Sequence, residues 1–348
     1  MRFERLFLFM LILLTAGMIN AQNGKVKSES AYKLRPNDPE AVYFTQENFN
    51  VKSDGKTDVS DALQSAINKV KTEQNFGIVF LPEGKYLISK TLYIPGSVRL
   101  IGYGANRPEI ILAKNSPGYQ TVTEDNRYNE KYMIFFTGGL VAEGRQPGDA
   151  GAGTFYSAIS NINLRIEDGN PIAVGLRTHF AQHGFVSHMD IYTGKGRAGI
   201  SEVGNELEDV RFFGGDYGIT ANQTSPSWPV ALVDSYFEGQ RKAAIQCNST
   251  GFAIVGMHVK NSPVAVEIKE NCIDRLYLEN CLLDNVTEAA VNPNTQFLQG
   301  YLEDSNVEPV MTMVDMIEIF RVFELGQKSI QIQDQSIGKS VNEVGVVK

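Results

Sequence analysis

The segment FFGGDYGI, residues 212–219, places an aspartate directly after two glycines. Asp216 lies three residues before an apolar position, and Arg197 and Lys242 stand at the same distance before the equivalent apolar residues on either side. A carboxylate between two cations is suited to acid or base chemistry, and the glycines would leave space for a ligand. The alternative is a solvated ladder in which each exposed ion pair contributes about 0 to 1 kcal/mol.

Acid–base chemistry on a substrate bond commonly needs a second carboxyl group. Glu238 lies on the next repeat and is the expected proton donor, with Asp216 as its partner. Asp234 and Trp228, which is the only tryptophan, are expected to contact the ligand, the latter by ring stacking. Other acidic residues in the same stretch make the choice of Glu238 less selective: Glu202, Glu206, Glu208 and Asp209.

Metal, cofactor and nucleic-acid sites find little support in the composition. The four histidines lack the spacing of metal ligands, and no dense Asp-x-Asp cluster suggests calcium. No glycine-rich phosphate loop precedes a helix. A formal net charge of −8 disfavours nucleic acid as a partner. We therefore expect no metal and no cofactor.

The candidate residues fall on a repeat that begins near residue 155. When short strand segments are aligned by their last apolar residue, these residues are 22 to 25 positions apart: Ile166, Ile191, Phe213, Phe237, Val259 and Leu283. A second apolar set follows them: Leu176, Ile200, Ile219, Ile245, Val266 and Val291. This period predicts an all-β solenoid, specifically a single-stranded right-handed parallel β-helix. A β-sandwich is the alternative, although it needs no fixed period.

Two earlier segments have distinct expected roles. Apolar residues spaced three and four apart predict an amphipathic helix after Asp58. Asp58 would cap the N-terminus of this helix, and the helix would cover the open end of the first turn. Residues 115–157 are expected to form a long loop over one edge of the solenoid. Four aromatic residues of this loop are candidates to close a groove: Tyr119, Tyr128, Tyr132 and Phe155.

The chain ends complete the expected domain organisation. Residues 1–21 have arginines, an apolar run from Leu6 to Ala16 and a small residue at Ala21, as in a cleaved signal peptide. A helix needs about 20 apolar residues to span a bilayer, and this run is shorter. No stable membrane insertion is therefore expected after cleavage. A leader at 22–44, a β-helix at 45–310 and a tail or cap at 311–348 follow. The expected location is secreted or periplasmic.

A resemblance to known families adds to this interpretation. SDGKTDVSDALQSAINKV and the following GIVFLPEGKYLIS resemble the opening of the pectate-lyase-like β-helix superfamily. The stretch from AVGLRTHFAQHG to FFGGDYGI is similar to the first β-helix of family-55 glycoside hydrolases, which are β-1,3-glucanases. The resemblance implies secretion, a β-helix and a polysaccharide or oligosaccharide partner. Family-55 enzymes take their catalytic glutamate from a second β-helix, so that residue is not carried over.

The expected function is therefore that of an exported polysaccharide-active protein, with glycoside hydrolysis as the first choice. A pectate-type polysaccharide lyase is the first alternative, because Arg197, Arg241 or Lys242 could take a proton beside a uronate. The second alternative is a non-catalytic carbohydrate-binding or adhesin-like β-helix.

Overall fold

The protein folds into a parallel β-solenoid of about eight turns, which confirms the predicted fold class. The computed structural model describes residues 29–124, 126, 129–222, 229–248, 250–269 and 276–291. Its strands run from Val42 to Val291 and pair in parallel with strands of the preceding and following turns. Three predicted features lie outside the described residues: the signal peptide, the tail at 311–348 and the ligand contact of Trp228. They therefore stay predictions.

Each full turn contributes strand segments to three faces of the solenoid. Face A contains β2 (Asp54–Asp58), β4 (Lys85–Ile88), β7 (Glu109–Leu112), β10 (Asn163–Ile166), β17 (Tyr236–Glu238), the C-terminal parts of β12 (Phe185–Gly194) and β14 (Glu206–Gly214), and the N-terminal parts of β20 (His258–Ile268) and β22 (Leu282–Val291).

Faces B and C complete the turn. Face B contains β1 (Val42–Tyr43), β3 (Gly77–Pro82), β6 (Val98–Tyr103), β9 (Ala158–Ser160), β16 (Val230–Val233), β19 (Phe252–Val255), β21 (Leu276–Glu279) and the N-terminal parts of β12 and β14. Face C contains β5 (Leu92–Pro95), β8 (Lys131–Thr137), β11 (Ala173–Arg177), β13 (Ala198–Ser201), β15 (Tyr217–Ala221), β18 (Ala243–Cys247) and the C-terminal parts of β20 and β22.

The bend between faces B and A uses one residue in the left-handed backbone region. Successive turns place these residues there, with φ between 47° and 75°: Asn161, His188, Asp209, Asp234, Gly256 and Asn280. Apart from glycine, asparagine, aspartate and histidine tolerate this conformation better than most side chains. The bend therefore accounts for the residue type at Asp234 without reference to a ligand.

Inward side chains of face A stack on one another from turn to turn. Ile191 pairs with Phe212, Phe212 with Phe237, and Phe237 with Val259. All four are fully buried, and the rings of Phe212 and Phe237 stack with centroids 4.6 Å apart. The predicted position of Phe213 in this ladder was wrong by one residue, because adjacent strand residues face opposite sides and Phe213 faces outward.

The predicted residue at one end of each ladder is also not the one that pairs. Leu164, and not Ile166, pairs with Ile191, while Ala290, and not Val291, pairs with Val266. The other predicted partners in the second set are correct: Leu176, Ile200, Ile219, Ile245 and Val266. The errors share one cause, because the last apolar residue of a strand is not always the inward one.

Small residues on face C make room for these large inward rings. A Cβ atom on Gly199 would collide with the ring of Phe212, and one on Gly218 would collide with the ring of Phe237. The Gly-Ile step that recurs in the sequence therefore leaves room for the phenylalanine on face A of the following turn, since the lumen is filled to the density of a protein core.

An amphipathic helix covers the first turn. A short helix, α1 (Gln46–Phe49), precedes α2 (Ser60–Gln74), whose buried apolar residues are Leu63, Ala66, Ile67 and Val70. The helix contacts β3 and β5, as the amphipathic pattern predicted. Its N-cap is Val59, but the Asp58 carboxylate accepts the backbone N–H of Ser60 at 2.8 Å, so it still satisfies the first turn of the helix.

The segment 115–157 is not one long loop, because β8 lies inside it. Tyr119 and Tyr132 are buried and cannot close an open groove as predicted, whereas Phe155 is exposed and Tyr128 lies outside the described residues. After β8, the chain is anchored to face C by Asp149, which accepts from Nε of the buried Arg177 at 2.9 Å. Among the described residues, no helix is long and apolar enough to cross a membrane.

The inward ladder gives a direct test of the register. Replacing Phe237 by alanine should lower the free energy of unfolding by about 3 to 5 kcal/mol, because a fully buried ring leaves a cavity. Phe213→Ala, which truncates an outward and half-buried ring, should cost about 1 kcal/mol. Urea denaturation of both variants measures the difference, and equal losses would contradict the register.

The Asp149 anchor predicts a specific loss of stability in acid. Burial alone would raise the pKa of Asp149, but hydrogen bonds from His179 and Arg177 outweigh it and lower the pKa from 3.8 to about 2. A carboxyl group whose pKa is lower in the folded state than in the unfolded state stabilises the fold at pH values above its unfolded pKa. This contribution of about 2 kcal/mol is lost as the pH falls from about 4 to 2.

Asp149→Asn should therefore reduce the dependence of unfolding free energy on pH in that interval. The matched control is the same substitution at Asp61, whose exposed side chain forms an ion pair with Lys90. An unchanged pH dependence in the Asp149 variant would show that the anchor does not form.

Candidate functional site

Three of the predicted site residues are adjacent on successive turns. The backbone N–H of Asp216 donates to the carbonyl of Arg197 at 2.8 Å, and the N–H of Lys242 donates to the carbonyl of Asp216 at 2.9 Å. They lie at the junction between faces A and C, just before β13, β15 and β18. The predicted stacking of these three positions is therefore present.

The side chains at this junction form separate ion pairs. The Asp216 carboxylate accepts from Arg241 Nε at 2.9 Å and lies 3.4 Å from Lys242 Nζ, whereas Arg197 Nε donates to the buried Glu130 at 2.9 Å. Arg241 also donates to backbone carbonyls of the turn two repeats earlier, at Gly194 and Gly196. The Asp216 carboxylate thus takes part in holding the turns together, and its catalytic role stays a prediction.

The two glycines before Asp216 are explained by backbone conformation. Gly214 has φ of 74° and Gly215 has φ of 85°, both in the left-handed region. A Cβ on Gly215 would also lie 2.9 Å from Thr193 Cγ2. Equivalent turns use Gly194, Gly239 and Asn261 with positive φ. The turn itself requires these residue types, so the glycines are not evidence of space for a ligand.

Glu238 lies on a different surface, the outer side of face A. It is half-buried, accepts the Tyr236 hydroxyl at 2.9 Å, and pairs in register with Phe213 and Lys260. Within the described part of the chain, no hydrogen bond or ion pair joins Glu238 to Asp216. Asp234 is exposed on the adjacent bend, and Trp228 lies outside the described residues.

The outer side of face A carries a continuous run of rings, which we call the aromatic strip: Tyr192, Phe213, Tyr236 and His258. Tyr192 and Phe213 are stacked with centroids 4.9 Å apart, Phe213 and Tyr236 are 5.8 Å apart, and Tyr236 meets His258 edge-on at 5.1 Å. Arg165 lies over the Tyr192 ring at 4.3 Å and ends the strip on one side. The strip presents half-buried aromatic surface on four successive turns.

Two carboxylates accompany the strip on the same outward ladder. Glu238 pairs with Lys260, and Lys260 pairs with Asp284 on the next turn. Two strand spacings separate Glu238 from Asp284, which is about 9.6 Å between their backbone positions. Lys260 stands between them on the ladder, and its Nζ is 3.8 Å from the Asp284 carboxylate. The ladder therefore places a lysine between two acidic residues.

The surroundings of these groups affect proton binding on the strip. Burial and then the hydrogen bond to Glu238 raise the pKa of Tyr236 to about 12, so its hydroxyl remains a donor at neutral pH. Burial lowers the pKa of His258, and its imidazole is therefore neutral at pH 7. The strip thus offers a neutral imidazole and a phenol next to the two carboxyl groups.

A buried ionic cluster supports the strip from the side of the first turns. Asp190 is bound by Arg211 through two hydrogen bonds of 2.7 and 2.8 Å, and Arg107 lies 3.6 Å from the same carboxylate. Arg107 also donates to Asp209 at 2.9 Å, and His188 Nδ1 lies 3.0 Å from that carboxylate. The Tyr192 hydroxyl donates to Asp190 at 3.3 Å, so the cluster fixes the first ring of the strip.

Sequence reasoning missed the strip and Asp284, although a signal was present. Each inward residue of face A is flanked by two outward ones, and the flanking pairs carry the chemistry: Asp190 and Tyr192, Arg211 and Phe213, Tyr236 and Glu238, His258 and Lys260. The one-residue error at Phe213 assigned an outward ring to the core. The described residues contain no group of three or more potential metal ligands.

Comparisons with known proteins agree with this architecture. A family model described as "Rhamnogalacturonase A/epimerase, pectate lyase-like" matches residues 46–289. A model described as "Flagellar basal body rod FlgEFG protein C-terminal" matches residues 298–343, outside the described residues. A search of curated proteins finds no match to the chain.

Solved structures with a similar fold include two larger proteins. The Dettilon tailspike protein (gp208) has a TM-score of 0.51 at 11% identity, covering 74% of this chain and 48% of that protein. The catalytic unit of the GH87 α-1,3-glucanase from Streptomyces thermodiastaticus strain HF3-3 has a TM-score of 0.50 at 15% identity, covering 78% and 46%. The chain spans about half the length of each, and at these identities the likeness concerns the fold alone.

The ionic cluster predicts a large cost for removing its central cation. Arg107 is 4% exposed, so Arg107→Met should leave the Asp190 and Asp209 carboxylates poorly compensated and lower the unfolding free energy by about 3 to 5 kcal/mol. Lys90→Met removes a 62% exposed cation from an ion pair with Asp61 and should leave the unfolding free energy nearly unchanged, because solvent screens the pair. Urea denaturation compares the two, and a similar small loss in both would contradict the supporting role of the cluster.

Proposed function

Because the chain belongs to the rhamnogalacturonase A/epimerase family of pectate-lyase-like proteins, we propose that it is an exported protein that binds and hydrolyses a polysaccharide. The family match confirms the superfamily that the sequence resembled. The proposed site is the outer side of face A, and the aromatic strip beside Glu238 and Asp284 is the observation that carries the proposal.

The strip is suited to a sugar chain by its chemistry. The apolar faces of pyranose rings pack well on aromatic rings, and the polar edges of the strip supply donors and acceptors for hydroxyl groups. Tyr192, Phe213 and Tyr236 lie on consecutive turns, so a chain running along the solenoid would meet one ring after another. A glucanase among the proteins with a similar fold is in keeping with this partner class.

The proposed reaction uses the two carboxyl groups on one ladder. Glu238 as the acid gives its proton to the glycosidic oxygen, Asp284 as the base takes a proton from water, and that water attacks the anomeric carbon. The C–O bond to the leaving sugar breaks: the anomeric carbon gains the hydroxyl of the water, and the leaving sugar keeps the glycosidic oxygen with the proton from Glu238. Proton exchange with solvent then returns the two carboxyl groups to their starting states. The backbone positions of Glu238 and Asp284 are about 9.6 Å apart, and inverting enzymes hold their two carboxyl groups roughly 6.5 to 9.5 Å apart, so the two side chains must incline slightly towards each other.

The earlier pairing of Asp216 with Glu238 remains an alternative assignment of the base. It requires Asp216 to exchange its ion pairs with Arg241 and Lys242 for contact with substrate or water. In this version Arg197 and Lys242 are substrate-binding residues at the junction of faces A and C. Asp234 and Trp228 stay proposed substrate contacts in both versions.

A lyase is the second candidate, and the cations beside the strip favour it. Arg165, Arg211 and Lys260 lie along the outer side of face A, where they could hold the carboxylates of a uronate chain. Elimination leaves an unsaturated sugar that absorbs ultraviolet light, whereas hydrolysis leaves only new reducing ends. Binding without either product would favour the non-catalytic adhesin-like alternative.

The decisive variants are Glu238→Gln and Asp284→Asn. Each should lower kcat by about 10²- to 10⁴-fold on the polysaccharide that the wild type cleaves, because each removes a proton-transfer group. Reducing-end release from a panel of β-glucans, α-glucans and pectins identifies that substrate, and circular dichroism confirms folding. Asp216→Asn is the matched control at the face A–C junction and should retain activity.

Three results would revise the proposal in different ways. Full activity of Glu238→Gln would overturn the site on face A. Loss of activity in Asp216→Asn with full activity in Asp284→Asn would assign the base to Asp216. An ultraviolet-absorbing product would replace hydrolysis by elimination.

A further inference from the structure

A pocket of about 640 Å³ lies on face B at the first turns of the solenoid, away from the aromatic strip. It is formed where the end of α2, β3 and β6 meet the segment before β1 and the residue Tyr156. Its volume is within the roughly 300 to 1,000 Å³ of small-molecule sites. About four turns separate it from Glu238, which is about 20 Å along the axis at one strand spacing per turn.

Two exposed aromatic rings line this pocket. Phe76 is 65% exposed and Tyr156 is 49% exposed, and the exposure of such large rings to water is costly. Phe76 follows the left-handed residue Asn75 that ends α2, and Tyr156 has φ of 59° with its ring stacked on His183 at 4.9 Å. A bulky residue in the left-handed region is a conformational outlier of the kind that functional sites retain.

Polar groups of the pocket are positioned around these rings. Arg99 Nε donates to the Tyr156 backbone carbonyl at 3.1 Å, which ties its guanidinium to the segment that carries Tyr156. Gln74 Nε2 donates to the Glu40 carbonyl at 2.8 Å and fixes the segment that carries Asp38 and Glu40. The lining thus contains two acidic residues, Asp38 and Glu40, and one arginine, and the excess negative charge disfavours an anionic ligand.

We propose that this pocket is a second glycan-binding site that takes a neutral pyranose unit between Phe76 and Tyr156. The rings cover the apolar faces of the sugar, the carboxylates of Asp38 and Glu40 accept hydrogen bonds from its hydroxyl groups, and Arg99 donates hydrogen bonds to its oxygens. The ligand class rests on the proposed function, but the site is separate from the residues of face A. Such a site holds a polysaccharide on the protein while another part of the chain lies on the aromatic strip.

The test measures binding of neutral and anionic hexasaccharides by calorimetry, with the Glu238→Gln variant as the parent so that no probe is cleaved. The probes are β-1,3-glucan and α-1,3-glucan hexasaccharides, with hexagalacturonate as the anionic comparison. Phe76→Ala removes one ring, and Tyr156→Asn removes the other with a residue that tolerates positive φ. Leu34→Ala, which truncates an 84% exposed side chain outside the pocket, is the control.

We expect a neutral probe to occupy a site whose affinity falls by about tenfold or more in Phe76→Ala and in Tyr156→Asn and not in Leu34→Ala. Hexagalacturonate should not occupy this site. In the wild-type background, Phe76→Ala should leave turnover of short substrates unchanged. Circular dichroism and urea denaturation establish that the variants are folded.

Unchanged affinity for every probe in both pocket variants, or no binding of any neutral probe by the parent, would overturn the second site. The catalytic proposal fails separately, through full turnover of Glu238→Gln. Loss of neutral-probe binding in the pocket variants together with full turnover of Glu238→Gln would therefore support the pocket and reject the active site on face A.

Discussion

The register of the inward ladder is the constraint on which the rest of the structure depends. Phe212 stacks on Phe237 and Phe237 on Val259, and a shift of one residue would turn each of them to solvent. Their burial therefore determines which residues face outward on the same strands. The rings are accommodated only because Gly199 and Gly218 stand opposite them on face C. Packing inside the solenoid thus determines which side chains lie on its outer surface.

The outer side of face A follows directly from that register. Tyr192, Phe213 and Tyr236 lie next to inward residues, so the stacking that fills the lumen also aligns the aromatic strip from turn to turn. Charged groups use the same repeat: Glu238, Lys260 and Asp284 occupy one outward ladder. The arrangement is rigid where Asp190 and Arg107 anchor it, and a rigid row of rings and carboxylates is a favourable surface for a linear polymer.

The sequence predicted the repeat, the parallel solenoid and the helix α2, because each depends on a spacing of apolar residues that is visible in one dimension. It did not predict that Phe212 faces inward and Phe213 outward, since both are apolar and only packing against Gly199 and Phe237 distinguishes them. The same limitation hid the aromatic strip. Asp216 attracted attention through its glycines, whose residue type is explained by positive φ at Gly214 and Gly215.

Charged residues were harder to interpret from the sequence than apolar ones. Arg197, Asp216 and Lys242 lie on successive turns as predicted, and Lys242 pairs with Asp216, but Arg197 pairs with Glu130 and Asp216 also pairs with Arg241, neither of which belongs to that ladder. Arg241 reaches Asp216 because its backbone N–H donates to the carbonyl of Gly215 at 2.9 Å, which places it beside Asp216 on the next turn. Asp284 was overlooked because its relation to Glu238 passes through two turns of the solenoid.

A crystal structure of the Glu238→Gln variant with an oligosaccharide of the cleaved polysaccharide would show where the sugar chain binds. We expect sugar rings stacked on Tyr192, Phe213 or Tyr236, with a glycosidic bond between residue 238 and Asp284. A sugar chain bound at the Asp216 junction, with the aromatic strip still open to solvent, would contradict this expectation.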